Sequence, residues 1–402
     1  MYTLSKNKKF MFLLGAELFS VLGYSMFLLT ISWYVVDQLK QPQYMGLLLA
    51  IASLPRMFTM IVGGVMADRT QKSKILFSTG IAKTILIGVL LYAYLDGNLT
   101  FSILLVVSFL LGCLDGLFFP ALSSLIPVLV EKKELQGANT MIHSSQELVF
   151  LIGPVIAGAL INYYSFSVTF IISMISMLIY SLLVFPAIIK DEKPLSTGEK
   201  STVFRELQEG YNYVRASPLY IVGIGIIIVI NFFIFGPLFL SLPLLAKEEG
   251  GTALHLSFLE AGFSIGSLVA TMTLLIVTLH KNRGKLTLNS LITSAILMCV
   301  FSQIPSIWGL IPMVSLIGFL GFMTFIPTDV MIQEHTDPKM MGRVMGIVFL
   351  AQTAFDPISQ TLFSFLMTLG ISVRYLLFGF AAMGVVFSLF IFMKAKNWRM
   401  MH

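Results

Sequence analysis

The chain has 402 residues, of which 57% are apolar and 11% are charged, and its formal net charge is +6. A soluble globular domain carries about 25% charged residues, so this composition excludes a soluble protein with a charged exterior. The charges stand in short runs between long apolar stretches, which is a membrane-topology pattern and not a nucleic-acid-binding face.

Twelve apolar stretches are long enough to cross a hydrocarbon core of about 30 Å. Lipid-exposed backbone must satisfy its own hydrogen bonds, so each stretch is predicted to be an α-helix, and the first is too long for a signal peptide. The sequence therefore predicts an all-α membrane protein whose twelve transmembrane helices form two six-helix halves. The predicted spans are 10–36, 44–67, 75–95, 101–126, 139–162, 167–189, 219–245, 254–279, 286–304, 308–331, 342–369 and 372–393.

The distribution of basic residues predicts the orientation. The two termini and the even-numbered loops hold 21 of the 26 Lys and Arg residues, and the odd-numbered loops hold three. Cytoplasmic loops carry the excess of basic residues, so both termini are expected in the cytoplasm of a multi-pass plasma-membrane protein.

The loop after the second span carries the first motif, Gly64-Val-Met-Ala-Asp68-Arg69-Thr-Gln-Lys-Ser-Lys. It resembles the loop signature of the major facilitator superfamily, although Gln71 stands where the family has a glycine. The resemblance implies a gate latch in which Gly64 lets helices approach and Asp68 finds a cation in one conformational state. Arg69 and Arg343 are the partners that the sequence suggests, and an ordinary positive-inside loop is the alternative.

The fifth span contains Gly153-Pro154-Val-Ile-Ala-Gly158, which resembles the antiporter signature of the same superfamily. Its glycines permit close helix contact and its proline bends the helix, so this segment is expected to be a hinge. Glycine and proline are also common in membrane helices without such a role.

The longest loop divides the chain into an N-terminal half (1–189), a cytoplasmic linker (190–218) and a C-terminal half (219–402). Apolar residues recur at helical spacing over 203–214, which predicts an interfacial amphipathic helix, and a solvated linker is the alternative. The segments 204–211 and 338–344 resemble those of the macrolide-efflux type of drug:proton antiporter. That resemblance implies the major facilitator fold, alternating access and export coupled to proton entry.

Ionisable residues inside spans mark candidate sites, because each costs several kcal/mol unless it is paired or hydrated. In the N-terminal half, Arg56 and Asp115 both lie about 16 Å from the cytoplasmic ends of their spans and are predicted to pair. His143 and Glu147 are four residues apart on one helix and can also pair. Structural pairing and a substrate role stay open for all six such residues, which are Glu17, Arg56, Lys83, Asp115, His143 and Glu147.

The C-terminal half carries Glu260 and Asp356 at one predicted depth, about 9 Å below the outer end of the eighth span and about 21 Å above the inner end of the eleventh. No Lys or Arg lies within those spans at that level, and Arg374 is the nearest candidate. Two carboxylates without a cation cannot both stay charged cheaply, so at least one is expected to bind a proton. The alternative is that Glu260 is hydrated at the outer mouth.

Aromatic residues cluster on the seventh and tenth spans, which the resemblance implies are cavity-facing. Aromatic faces suit planar or cationic apolar drugs, and packing or lipid contact is the alternative for many of them. The set is Phe232, Phe233, Phe235, Phe319, Phe322 and Phe325.

No enzyme, metal or cofactor motif is complete: the histidines are scattered, both cysteines lie in spans, and the phosphate-loop-like Lys83-Thr84 is inside a predicted helix. The sequence therefore predicts a non-enzymatic, proton-coupled exporter of amphipathic drugs of the macrolide type, which would confer antibiotic resistance. The expected partners are a small-molecule substrate, protons and membrane lipid, with no nucleic acid and no cofactor, and the protein is expected to be a monomer. The alternatives are a lipid, siderophore or metabolite exporter, or a non-transporting receptor or assembly factor.

Overall fold

The structure is a computed structural model that describes residues 4–131, 134–189, 191, 203–276, 282–337 and 340–400. These residues form sixteen α-helices and no β-strand. The first eight helices are α1 (Lys8–Asp37), α2 (Met45–Arg69), α3 (Lys72–Leu95), α4 (Phe101–Leu129), α5 (Leu135–Tyr163), α6 (Phe166–Leu183), α7 (Pro186–Ile189) and α8 (Val203–Ala216). The other eight are α9 (Pro218–Ile230), α10 (Gly236–Glu248), α11 (Ala253–Ile276), α12 (Arg283–Phe301), α13 (Ile307–Glu334), α14 (Met341–Thr368), α15 (Val373–Lys394) and α16 (Lys396–Arg399).

The predicted all-α membrane fold is confirmed. Within the described residues, 11 helical segments are long and apolar enough to cross a membrane. The remaining predicted span, the eleventh (342–369), corresponds to α14, which has 28 residues but is less apolar. Its centre carries Gln352, Asp356 and Gln360, and these polar residues keep it below the hydropathy of the other spans.

The chain divides into two compact units. The first comprises Met1–Pro42, Leu48–Gly198 and Thr252–Ser257, and the second comprises Gln43–Leu47, Glu199–Gly251 and Phe258–His402. A helix of 14 residues, α8, occupies the segment where the sequence predicts an amphipathic linker helix. The limits of the predicted halves stay a prediction, since 190 and 192–202 lie outside the described residues.

In the first unit, α1 packs against α5 and α6, and α3 packs against α4 and α6. Lipid tails are as apolar as leucine, so van der Waals contact drives this packing, and small residues at the crossings let helices approach. The crossing of α2 and α4 is built in this way. A Cβ atom on Gly63 would lie 2.5 Å from the Gly116 carbonyl oxygen, and one on Gly112 or Gly116 would overlap α2.

The close approach expected at Gly64 is therefore made by its neighbour Gly63. Gly64 has no heavy atom of the described structure within 4 Å of a Cβ built on it. Adjacent residues on a helix point about 100° apart, so only one of two consecutive glycines can face α4.

The second unit is organised around α12 and α14. α12 packs against α13 and α15, while α14 packs against α8 and α10. α11 meets α13 through two glycines, because a Cβ on Gly266 would overlap α13 and one on Gly318 would lie 2.6 Å from the Phe263 carbonyl. Between α9 and α10 the chain makes a π-helical turn, Asn231–Phe235, so the seventh predicted span is one helix with a wider turn in the middle.

We expect Gly116→Ala to destabilise the protein, because the added methyl group would strike the α2 backbone at the Arg56 carbonyl and the Met60 nitrogen. Overpacking of this kind costs about 1–3 kcal/mol. The measurement is thermal unfolding of purified protein in detergent. Gly64→Ala is the matched control and should melt no lower than the unsubstituted protein, so equal melting of the two variants would contradict the crossing.

Candidate functional site

A buried ion pair joins α3 to α4 in the first unit. The Lys83 Nζ lies 2.5 Å from the Asp115 Oδ1, and the two residues are only 4% and 7% exposed. The ammonium also lies 4.5 Å from the centroid of the Phe118 ring, which adds a cation–π contact. Burying a single charge in a low-dielectric interior costs several kcal/mol of solvation free energy. The attraction between the Lys83 ammonium and the Asp115 carboxylate offsets that cost for both residues.

The predicted pair between Arg56 and Asp115 is wrong. Arg56 instead places its guanidinium carbon 5.5 Å from the centroid of the Phe119 ring. Gly112 and Gly116 are the α4 residues that face α2, and Asp115 is turned about 100° from Gly116 toward α3. Arg56 and Asp115 can lie at the same depth in the membrane while their side chains point in different directions. The sequence predicted their depth and not the direction of either side chain.

A second buried polar contact joins α1 to α5. Glu17 is 1% exposed, and its Oε2 accepts a hydrogen bond of 2.8 Å from the Gln146 Nε2. Its Oε1 is buried and has no hydrogen-bond partner within the described part of the chain. Gln146 was missed in the sequence because it is uncharged, although a glutamine inside an apolar span is itself a signal.

His143 and Glu147 are exposed on the surface of the first unit, and no hydrogen bond or ion pair joins them among the residues described. The predicted pair is therefore not formed in this structure. The spacing of four residues allows a contact on a helix, but two exposed side chains on this surface need not make it.

The hinge motif lies in a continuous α5. A Cβ on Gly153 would overlap the Ser25 side chain of α1, so this glycine permits the crossing of the two helices. Pro154 and Gly158 are both buried within the helix. Motion at this segment stays a prediction.

The loop that carries the latch motif is held by a residue that the sequence did not single out. The Asp191 carboxylate accepts hydrogen bonds from the backbone nitrogens of Lys72 (2.6 Å) and Ser73 (3.3 Å) and from the Ser73 hydroxyl. It thus caps the first turn of α3, where backbone N–H groups lack helical partners. Gln71, at the family's glycine position, donates from Nε2 to the Asp191 carbonyl at 3.1 Å.

Asp68 and Arg69 are both exposed at the end of α2, and within their own unit the described residues offer Asp68 no ion-pair partner. Arg343, the other predicted partner, lies in the second unit and forms an ion pair of 2.9 Å with Glu209 of α8. The Tyr213 hydroxyl, also on α8, accepts from the Asp337 backbone nitrogen at 3.3 Å. The linker helix is therefore docked beside Arg343, and the latch role of Asp68 stays a prediction.

Side chains at the π-helical turn of the second unit donate hydrogen bonds to the backbone around it. The Ser359 hydroxyl of α14 donates to the Phe232 carbonyl at 2.5 Å, and the Asn231 Nδ2 donates to the Ile227 carbonyl at 2.9 Å. Single π turns occur frequently at functional sites. Nothing in the apolar periodicity of this span predicted the turn.

Asp356 and Glu260 are both half-buried on α14 and α11. The Asp356 Oδ1 is buried without a hydrogen-bond partner, and no hydrogen bond or ion pair of the Glu260 carboxyl occurs among the described residues. Arg374, the nearest cation by sequence, is occupied elsewhere. Its guanidinium pairs with Glu248 (2.9 Å) and Glu249 and donates to the carbonyls of Ser302 and Ile304.

A third acid of this unit, Asp329 on α13, was missed by the sequence analysis because it stands near the end of its span. Its two oxygens accept from the Nε2 atoms of Gln333 (2.8 Å) and Gln352 (3.2 Å). Amide donors thus compensate Asp329, and α14 contributes polar side chains at two levels, Gln352 and Asp356.

The phenylalanines predicted to face the cavity contact different helices. Phe232 meets Phe355 and Phe380, whereas Phe233 stacks on Phe387 with centroids 5.2 Å apart. Phe235 is buried against the Phe263 ring, which also contacts Phe322. Phe233 and Phe235 therefore pack their helix against α15 and α11, as the packing alternative expected, while Phe232 and Phe322 stay candidates for substrate contact. No group of three or more metal-ligating residues occurs within the described ranges.

Comparison with known proteins identifies the relatives of the chain. The sequence profile of the Major Facilitator Superfamily matches residues 13–355. The chain is 26% identical over 360 residues to the uncharacterized MFS-type transporter YkuC of Bacillus subtilis, covering 85% of this chain and 81% of YkuC. It is 28% identical over 314 residues to the enterobactin exporter EntS of Escherichia coli, covering 75% of this chain and 72% of EntS.

Solved transporter structures share the fold. The POT family transporter PepTSo superposes with a TM-score of 0.75 at 10% identity, covering 97% of this chain and 98% of that one. The nucleoside transporter NupG superposes with a TM-score of 0.73 at 13% identity, covering 96% of this chain and all of that one (100%). These likenesses concern the fold alone.

We expect Lys83→Met and Asp115→Asn each to destabilise the protein by about 3–5 kcal/mol, because each leaves an uncompensated buried charge. The double variant should lose less than the sum of the two, which a double-mutant cycle of unfolding free energies in mixed micelles measures. The cycle of Arg56→Met with Asp115→Asn is the control and should show a much smaller coupling. Equal coupling in both cycles would contradict the assignment of the pair.

We expect Asp191→Ala to lower stability by about 1 kcal/mol through the loss of the cap on α3. Asp191→Asn keeps one acceptor oxygen but loses the charge that favours a helix N-terminus, so its loss should be smaller. Asp96→Ala, at the opposite end of α3, is the control and should unfold like the unsubstituted protein. The melting temperature should be lowest for Asp191→Ala, higher for Asp191→Asn and highest for Asp96→Ala. If Asp191→Ala is as stable as Asp96→Ala, Asp191 does not cap α3.

Proposed function

Because the chain belongs to the major facilitator superfamily of membrane transporters, we propose that it is a proton-coupled exporter of amphipathic small molecules. The observation that carries the proposal is the environment of Asp356. Its carboxyl lies inside a long helix with one buried oxygen unpaired, on the least apolar of the twelve spans predicted from the sequence. A carboxyl without a cation can neutralise itself by binding a proton, and proton relays in transporters use such residues.

Three arginines of the second unit support this assignment. Arg283 pairs with Glu334 at 2.9 Å, Arg343 pairs with Glu209, and Arg374 pairs with Glu248 and Glu249. Each of these guanidinium groups already has a carboxylate partner, so none is free to compensate Asp356 or Glu260. Among the residues that the structure describes, Asp356 and Glu260 are therefore acids of this unit that a proton, or a cationic substrate, would compensate.

The proposed substrates are amphipathic compounds of the macrolide or multidrug type, which would make the protein a resistance factor. Phe232 lies beside Phe355, one residue before Asp356, and this neighbourhood joins an aromatic face to a carboxyl. Aromatic faces and a single acid suit apolar molecules that carry one positive charge. We further propose a monomer in the plasma membrane with both termini in the cytoplasm, on the basis of the basic loops.

A second substrate class, a siderophore, is favoured by one observation. The relatives over 75% of the chain include an enterobactin exporter. A siderophore exporter would use the same fold and the same proton coupling. The two proposed functions therefore differ in the transported substrate and not in the acids that bind the proton.

We expect the double variant Glu260→Gln, Asp356→Asn to abolish export driven by a pH gradient while downhill exchange persists, because neutral amides bind no proton. The measurement uses purified full-length protein in proteoliposomes with an imposed pH gradient. The probes are ethidium as a lipophilic cation, erythromycin as a macrolide and a catechol siderophore as the second class. An uncoupler should collapse export by the unsubstituted protein.

Glu334→Gln is the matched control, since it removes an exposed acid whose ion pair with Arg283 contributes little. It should export the probe at the unsubstituted rate. Gradient-driven export by the double variant at full rate would end the assignment of these acids. Movement of the siderophore but not of ethidium or erythromycin would replace the drug class with the siderophore class.

A further inference from the structure

A cavity of about 370 Å³ lies at one end of the second unit, between the beginning of α9 and the segment that follows α15. Its lining includes Ser217 and Val222 on the α9 side and Lys394, Lys396 and Trp398 on the other side. Because α9 begins and α15 ends at this cavity, it is expected at the level of the lipid headgroups. Sites for small molecules commonly occupy about 300–1,000 Å³, so this volume can hold a polar group with its neighbouring atoms.

The cavity carries positive charge without an acid to match it. Lys394 and Lys396 are both exposed, and no ion pair of either lysine occurs among the residues that the structure describes. The two stretches of sequence that line the cavity contain no acid, since none occurs between Glu209 and Glu248 or after Asp356. A cleft lined by charges of one sign and by apolar walls attracts ions of the opposite sign. An anion from outside the chain would therefore complete the site.

Trp398 fixes the basic segment against the helices around it. Its side chain is 2% exposed, and its indole Nε1 donates to the Thr287 Oγ1 of α12 at 3.1 Å. A Cβ atom on Gly284 would overlap the Trp398 carbonyl, and one on Gly223 of α9 would lie 3.0 Å from the indole ring. A buried tryptophan whose N–H has a partner is a rigid anchor. The two lysines just before it are therefore held beside α9.

The α9 side of the cavity supplies a hydroxyl group and an apolar wall. Ser217 makes no capping hydrogen bond to α9, so its hydroxyl can donate to a ligand, and Leu219 and Val222 are the apolar part of the lining. Next to these lining residues in sequence, Ile221 and Met393 are 54% and 68% exposed, as side chains that face lipid tails are. An occupant with a charged end and an apolar body matches this combination, whereas a small soluble anion matches only half of it.

We propose that the cavity binds the phosphate headgroup of an anionic glycerophospholipid. Lys394 and Lys396 contact the phosphate as point charges, and Ser217 donates a hydrogen bond to it. The acyl chains continue along the apolar side chains of α9 and α15. Basic pockets between membrane helices bind the headgroups of anionic lipids in this way. The lining contains neither Asp356 nor Glu260, so the lipid site does not depend on the proposed function.

The experiment is native mass spectrometry of full-length protein with phosphatidylglycerol added to the detergent, which gives the dissociation constant of each bound lipid. We expect the double variant Lys394→Gln, Lys396→Gln to weaken the tightest phosphatidylglycerol site about thirtyfold, since each lysine near a membrane surface contributes about fivefold. The double variant Lys394→Arg, Lys396→Arg keeps both charges and should bind nearly as the unsubstituted protein does. Phosphatidylcholine, which has no net charge, should bind weakly and equally to all variants.

The double variant Lys8→Gln, Lys74→Gln is the matched control, because it removes two exposed lysines of the first unit and the same net charge. It should leave the tightest site unchanged. The melting temperature of lipid-free protein should be the same in all variants, because exposed lysines contribute little to stability.

Three results would overturn the proposal. The first is an unchanged affinity in the Lys394→Gln, Lys396→Gln variant. The second is an equal loss of affinity in the first-unit control, which would show a general attraction of lipid to basic surface. The third is displacement of phosphatidylglycerol by inorganic phosphate, which would identify a site for a soluble anion.

Discussion

Hydrocarbon offers no hydrogen bonds and little solvation for charge, so every polar group within a span must find its partner inside the protein. The backbone meets this constraint by forming helices throughout the described spans. Hydroxyl side chains meet it by donating back to their own helix, as Thr30 does to the Met26 carbonyl and Ser388 does to the Gly384 carbonyl. The buried Lys83–Asp115 pair is the same constraint applied to charge.

The constraint falls unequally on acids and bases. An arginine cannot lose its proton in a protein, so it needs an acid, a ring face or a set of carbonyls, and the structure supplies one of these to Arg56, Arg343 and Arg374. A carboxyl has another option, because it can become neutral by binding a proton. The oxygens that stay unpaired in the described spans include one on Glu17 and one on Asp356. The cations are thus held by fixed partners, while some acids have an unpaired oxygen. This arrangement is the one that proton binding requires.

Sequence patterns predict how deep a residue lies in the membrane better than they predict which way its side chain points around the helix. The all-α fold and the positions of Glu17, Glu260 and Asp356 within spans follow from apolar runs and from isolated charges within them. The sequence paired Asp115 with Arg56, and only packing, through Gly112 and Gly116, decides that the carboxylate faces Lys83 instead. The Asp191 cap was missed because its two ends are over a hundred residues apart in sequence. Gln146 and Ser359 were missed because uncharged polar residues in a span are also common where they only pack against a neighbouring helix.

The π-helical turn has a consequence for how this chain tolerates change in length. A turn over Asn231–Phe235 accommodates one residue more than an α-helical turn, so it behaves as a one-residue insertion that the helix has absorbed. The wider turn lets three nearby phenylalanines reach α14, α15 and α11. Deleting that extra residue would restore an unbroken α-helix, and the residues beyond the turn would keep the faces that they present now. Related chains that lack the extra residue would therefore present the same face of α10 to their neighbours, whereas a deletion elsewhere in α9 or α10 would rotate that face by about 100°.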